Sequence, residues 1–237
     1  MTTDVRRAGE RASTRISWLD SKHSFSFGRH YDATNTSFGL LLVNNDDVVA
    51  PGSGFSTHPH RDMEIITWVL SGELVHQDSH GHNGLIVPGL AQRMSAGTGM
   101  LHSEMNATAE APVHFVQMWV VPDTEHVAPS YEQLDINTTL ERGGLVPVAS
   151  GRGNEAAISI RQEGAVLLAA RRADGESVQL PDAAYVHLYV AVGAVELAGA
   201  GALIEGDAVR LTAAGGPALT AVGGRAEVLV WEMDQQI

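Results

Sequence analysis

The most constraining feature of this 237-residue sequence is the rhythm of its apolar runs. Short runs at residues 39–43, 65–70, 113–121, 186–192 and 227–231 are separated by clusters of Gly, Pro, Asn or Asp. Such clusters recur at intervals of about 8–15 residues, as turns between consecutive strands do, and each run is long enough to cross a sheet but too short for a globular helix. An all-β chain follows, built as a sandwich or barrel rather than as alternating strands and helices. One short helix is expected, around residues 131–140. With 44% hydrophobic and 18% charged residues, the chain has enough apolar material for packed cores.

The pattern also repeats. Pro88-Gly-Leu-Ala-Gln-Arg-Met-Ser-Ala-Gly97 aligns with Glu205-Gly-Asp-Ala-Val-Arg-Leu-Thr-Ala-Ala214. Upstream of each, Trp68-Val-Leu-Ser-Gly-Glu-Leu matches Tyr189-Val-Ala-Val-Gly-Ala-Val. Two matches in the same order point to one β-fold used twice. The expected division is a first domain over 1–125, a connection over 126–145 and a second domain over 146–237. The local offsets carry His58, His60 and His102 onto Gln179, Pro181 and Leu219. All histidines but His187 lie in the first half, so metal chemistry is expected there alone.

Two segments carry that chemistry. In His58-Pro-His-Arg-Asp-Met-Glu64, the two imidazoles are two residues apart and project to one face of a strand, and Glu64 has the same parity. In Gly97-Thr-Gly-Met-Leu-His-Ser-Glu104, His102 and Glu104 repeat the device after a glycine-rich turn. A lone His-x-His is common on solvated surfaces. Two such pairs on facing strands would instead present three imidazoles and one or two carboxylates to one ion. That donor set suits Fe(II), Mn, Co, Ni, Cu(II) or Zn. The absence of cysteine excludes disulfides, thiolate metal sites and cysteine nucleophiles.

These residues also carry a resemblance. Gly52-x5-His58-x-His60-x3-Glu64-x7-Gly72 is similar to the first cupin motif, and Pro88-Gly89 followed by Gly99-x2-His102-x3-Asn106 to the second. More narrowly, Thr57-His-Pro-His-Arg-Asp-Met-Glu-Ile-Ile66 and Met94-Ser-Ala-Gly-Thr-Gly-Met-Leu-His-Ser-Glu104 resemble the pirin family of bicupins. Ser24-Phe-Ser-Phe-Gly28 and Gln117-Met-Trp119 fit the same family. The resemblance implies two tandem cupin (jelly-roll β-barrel) domains, the N-terminal one metal-binding and the C-terminal one degenerate. General cupins take the Glu of the first motif as fourth ligand, which would be Glu64. Pirin-like proteins use the His-x-Glu of the second, which maps onto His102 and Glu104. The implied ligand set is therefore His58, His60, His102 and Glu104, with Glu64 as the alternative ligand or a supporting neighbour. Fe(II) is the first choice of ion.

The activity implied is the opening of the flavonol ring of quercetin, or of a related enediol-like aromatic, by O2, with Glu104 as the catalytic base. An alternative reading is a metal- and redox-responsive module that binds a protein partner, as in pirins that resemble transcription cofactors. Phe115, Gln117 and Trp119 share one face of an expected strand and form a possible pocket wall, with core filling as the competing role. His76, His80 and His82 are expected in a solvated turn, and His114 facing outward. Met94, Met100, Met105 and Met118 are expected to be packing residues. Arg93 and Arg210 occupy matching repeat positions, which suggests a role in the fold itself. A net charge of −13 argues against direct nucleic-acid binding. No run approaches 18 apolar residues and no leader-like segment is visible, so a cytoplasmic protein without membrane contact is expected.

Overall fold

The computed structural model describes residues 2–153 and 156–237, and it is almost entirely strand. Four sheets form two similar units. The first unit has a seven-stranded sheet in the order Ser130–Asp135, Leu90–Ser95, Glu64–Ser71, Val113–Val120, Leu41–Val49, Leu19–His23, Ala12–Arg15. Facing it is a four-stranded sheet in the order Gly54–His60, Met100–Asn106, Leu74–Asp78, Asn83–Ile86. The second unit repeats both. Its large sheet runs Thr2–Arg6, Ala208–Thr212, Tyr185–Val192, Ala226–Met233, Ala165–Arg172, Val146–Ser150, Ile158–Ser159. Its small sheet runs Ser177–Gln179, Ala218–Ala221, Ala194–Leu197, Gly201–Ile204. Leu90–Ser95 and Ala208–Thr212, the two copies of the repeated segment, hold equivalent places in their sheets.

Two strands lie where the sequence rhythm does not put them. The pattern favours a helix over residues 131–140, but Ser130–Asp135 is a strand paired antiparallel to Leu90–Ser95. The helix is confined to Asn137–Glu141. Without Ser130–Asp135, the backbone edge of Leu90–Ser95 would be left unpaired. At the other end, Thr2–Arg6 crosses over to cover Ala208–Thr212 in the second unit. Each unit thus has its outermost strand supplied by residues that flank the first unit in sequence. Among the described residues no helix is long and apolar enough to cross a membrane.

Alternation along the central strands explains why they read as continuous apolar runs. From Glu64–Ser71, Ile66 and Trp68 join a core cluster with Met118 and Val120 of the first unit and Leu167, Tyr189, Leu229 and Trp231 of the second. The two large sheets therefore pack against each other, and their central strands are buried on both faces. Polar groups cross the same junction. Trp68 Nε1 donates to Glu227 Oε1 at 2.6 Å, and Arg93 and Arg210 each reach into the opposite unit.

Candidate metal centre

The other faces of those strands point into the barrels, and here the units differ. In the first barrel Ile65, Thr67 and Val69 alternate along one strand, and Phe115, Gln117 and Trp119 along the next. Val69 and Phe115 belong to one apolar cluster with Leu74 and Ile86. Ile65 belongs to another with Met94 and Met100, against which Trp119 packs. Thr67 and Gln117 lie between them, so a polar belt crosses the barrel between two apolar layers. In the second barrel the interior is one apolar cluster that includes Leu188, Val209, Leu219, Ala221 and Val230. Leu219 is paired with Val178, where the first barrel pairs His102 with His58.

His58 and His60 come from Gly54–His60, and His102 and Glu104 from the adjacent Met100–Asn106. An extra residue on the Gly54–His60 strand breaks the register between His102 and Glu104. Gly54 allows the two strands to approach closely there, since a Cβ would collide with the Glu104 carbonyl. One nitrogen from each of His58, His60 and His102 lies within 4.8 Å of the other two. Their ring centroids are 4.4–4.9 Å apart. His58 Nδ1 lies 2.8 Å from the Ser56 carbonyl, which leaves its Nε2 free to face the other rings. The Nε2 atoms of His60 and His102 are buried without a hydrogen-bond partner. Orphaned polar atoms in a protein interior are costly, and three imidazole nitrogens converging on one point fit a metal ion.

Burial, reinforced by the neighbouring imidazoles, lowers the pKa of His60 to about 4 and that of His102 to about 3. Both rings are therefore neutral near pH 7 and carry the lone pair a ligand needs. Glu104 is buried and its carboxylate groups with His102 and His76, not with His58 and His60. Thr67 Oγ1 donates to its Oε1 at 3.2 Å, and Gln117 Nε2 to its Oε2 at 2.6 Å. Each carboxylate oxygen keeps a lone pair for a further partner.

Of the possible pocket wall, Gln117 holds Glu104, and the Trp119 ring meets His60 edge-on at 4.9 Å. Phe115 is core filling. Glu64 is not part of the cluster. The chain turns at Asp62, where φ is +45°, so the parity that ties His58 to His60 does not continue to Glu64. Glu64 points to the face packed on the second unit, accepts from Ser95 Oγ at 2.7 Å and sits near Arg93. His114 also leaves the barrel interior and pairs with Asp46 at 2.6 Å.

His76 corrects the sequence reading most sharply. It is fully buried rather than in a solvated turn, and with His102 and Glu104 it forms a second group of donor atoms within 4.8 Å of one another. Asp78 is buried next to it, while His82 is part-exposed and hydrogen-bonded to Asp78. The signal that could have found it is His76-x-Asp78, the same two-residue spacing that selects the other pairs.

Comparison with known proteins places the sequence in a family. The pirin family pattern matches residues 4–120. A Mycobacterium tuberculosis protein provisionally named quercetin 2,3-dioxygenase is 57% identical over 237 residues, covering 100% of this chain and 97% of its own. The Escherichia coli protein named quercetin 2,3-dioxygenase is 47% identical over 129 residues, 54% of this chain and 56% of its own. The chain belongs to the pirin family.

Structural similarity extends the relationship over both barrels. The bacterial pirin YhhW from Escherichia coli, solved in complex with nickel(II), superposes with a TM-score of 0.90 at 32% identity and covers 100% of both chains. Another structure of YhhW gives a TM-score of 0.91 at 33% identity, covering 99% of this chain and 98% of that one. The second barrel of this pirin is thus the same fold with an apolar interior in place of the polar belt.

Proposed function

We propose that this pirin binds one divalent first-row transition metal, Fe(II) by preference, through His58, His60, His102 and Glu104. On the same reading it opens the ring of quercetin, or of a related enediol-like aromatic, with O2. The observation that carries the proposal is the pair of buried, partnerless Nε2 atoms on His60 and His102 facing His58. The names of the relatives and the nickel-bound pirin support it.

The chain's own groups suit such a reaction. Glu104 is an acceptor-only carboxylate held by two donors, and it is the base placed to take the 3-hydroxyl proton of a flavonol. Gln117 keeps that carboxylate oriented, and its own carbonyl is fixed by Trp119 Nε1 at 3.2 Å. Apolar layers on both sides of the belt exclude water, which strengthens each charge interaction within it. An open cavity of about 550 Å³ has Pro59, His60, Ser79, Met100 and Leu101 in its wall, and its size suits a flavonol-sized ligand. When bound, the metal supplies stabilisation for negative charge on a substrate oxygen and a common site for substrate and O2.

The test is to load the protein anaerobically with Fe(II), add quercetin and then admit O2. Loss of flavonol absorbance in step with O2 uptake is expected, and both should vanish in His58→Ala. No bleaching and no O2 uptake with any first-row metal would refute the assignment for this substrate.

A further inference from the structure

His102 is tied through its other nitrogen to a line of polar groups that the proposed reaction leaves unused. His102 Nδ1 lies 3.3 Å from His76 Nδ1. His76 Nε2 lies 3.3 Å from Asp78 Oδ2. The same Asp78 oxygen meets His82 Nδ1 at 2.9 Å. The His76 and Asp78 side chains are 1% and 0% exposed, whereas that of His82 is 39% exposed. The line therefore runs from a buried imidazole to the barrel surface.

The carboxylate end dictates where the hydrogens lie. Asp78 Oδ1 accepts the backbone N–H groups of His80 at 2.9 Å and His82 at 3.1 Å. A carboxylate in that position only accepts, so the hydrogen between Asp78 and His76 belongs to His76 Nε2. When His76 carries that single ring hydrogen, its lone pair is on Nδ1. That lone pair must receive the hydrogen on His102 Nδ1. The remaining lone pair of His102 is left on Nε2, the buried atom without a partner that faces His58 and His60.

The geometry points to His76 and Asp78 as positioning residues that lock His102 in its Nδ1–H tautomer and so aim the Nε2 lone pair at the metal position. This inference rests on the metal reading of His58, His60 and His102. Two adjacent strands build the device. Leu74–Asp78 pairs with Met100–Asn106 so that Asp78 is opposite His102 and His76 opposite Glu104. A carboxylate behind a ligating histidine orients the ring and raises its basicity. Here the carboxylate acts through a second imidazole.

Asp78→Asn inverts the line without changing its shape. The two backbone N–H donors hold the amide oxygen on the Oδ1 side, which turns the NH2 group toward His76. His76 must then accept at Nε2 and donate from Nδ1. His102 Nδ1 becomes the acceptor, and its hydrogen moves to Nε2, where it faces the metal position.

The experiment is two-bond 1H–15N correlation spectroscopy of the metal-free wild type and Asp78→Asn, together with nickel(II) titrations of both. The expected wild-type spectrum has His102 protonated at Nδ1 and bare at Nε2. Asp78→Asn should reverse that assignment and weaken nickel(II) binding by about 10- to 100-fold. A wild-type His102 protonated at Nε2 overturns the proposal, as does an Asp78→Asn protein with unchanged tautomer and unchanged affinity. If Asp78→Asn does not fold, the wild-type spectrum alone decides. A wild type with the Nδ1–H tautomer that takes up no nickel(II) supports the lock and refutes the metal reading.

Discussion

Gln117 Nε2 lies 2.6 Å from Glu104 Oε2, and the indole of Trp119 fixes the other end of the Gln117 amide. The contact joins the large sheet to the small one across the barrel interior and aims the carboxylate. Gln117→Leu fills the same volume but removes the donor. The variant should lose about 1–3 kcal/mol of stability, because a buried acceptor is left short of a partner. Its nickel(II) affinity should fall as well. Urea unfolding and metal titration measure the two effects, and unchanged affinity would remove Gln117 from the set that orients Glu104.

Metal removal should cost the protein thermal stability. A ligand at about 100 times its Kd stabilises the folded state by about 2.7 kcal/mol, provided the unfolded chain does not bind it. For a chain of this size each kcal/mol moves Tm by about 2–4 °C. Stripping nickel(II) with a chelator should therefore lower Tm by roughly 5–10 °C. His102→Ala should show no response to the metal. A chelator-insensitive Tm in metal-loaded wild type would count against a folded-state metal site.

Arg93 and Arg210 clasp the two units in opposite directions. Arg93 Nε donates to the Ser159 carbonyl at 2.8 Å, and Arg210 Nη2 donates to Ser24 O at 3.1 Å and Asn35 Oδ1 at 2.7 Å. Arg210 also stacks on Phe25, with its guanidinium carbon 4.5 Å from the ring centroid. Lysine can supply charge but not a planar fork that bonds and stacks at once. Arg210→Lys should destabilise the protein by about 1–2 kcal/mol and Arg210→Met by more. Denaturant midpoints test the order, and a lysine variant as stable as wild type would show that charge alone suffices.

The convergence of His58, His60 and His102 is legible in the sequence because a two-residue spacing survives wherever a strand stays regular. Spacing alone misplaces Glu64, because a single positive φ at Asp62 breaks that regularity and nothing in the pattern announces the break. His76 and Asp78 are hidden because the glycine at 81 makes the stretch look like a turn, although the strand Leu74–Asp78 runs up to it. The repeat exposes the duplicated barrel, since the matched segments form Leu90–Ser95 and Ala208–Thr212, strands with equivalent places in the two large sheets. The crossing of Thr2–Arg6 onto the second barrel is not legible. A short polar strand is fixed by the sheet edge it covers, and that edge lies some 200 residues away in sequence.

Asp47 provides a test of the polar belt that needs no metal. It lies opposite Phe115 on the neighbouring strand and is 2% exposed, and its Oδ1 has no hydrogen-bond partner. Burial pushes its carboxyl up to about 7; Ser21 offsets this in part, and the charges of Asp46 and Glu104 add to it. Between the ordinary value of 3.8 and about 7, the folded protein holds a proton that the unfolded chain releases. The stability tied to that proton is fully present below about pH 4 and is lost as pH rises through 7, after which it levels off. Asp47→Asn keeps the shape of the neutral acid and cannot ionise. In chelator-treated protein, the variant should gain on wild type by a few kcal/mol between pH 4 and pH 8, since each tenfold difference in proton affinity between the folded and unfolded chain is worth about 1.4 kcal/mol. Urea unfolding across that range measures the gap. Parallel curves for the two proteins would mean that Asp47 ionises in the folded state as readily as in water, and that the belt is far wetter than its packing implies.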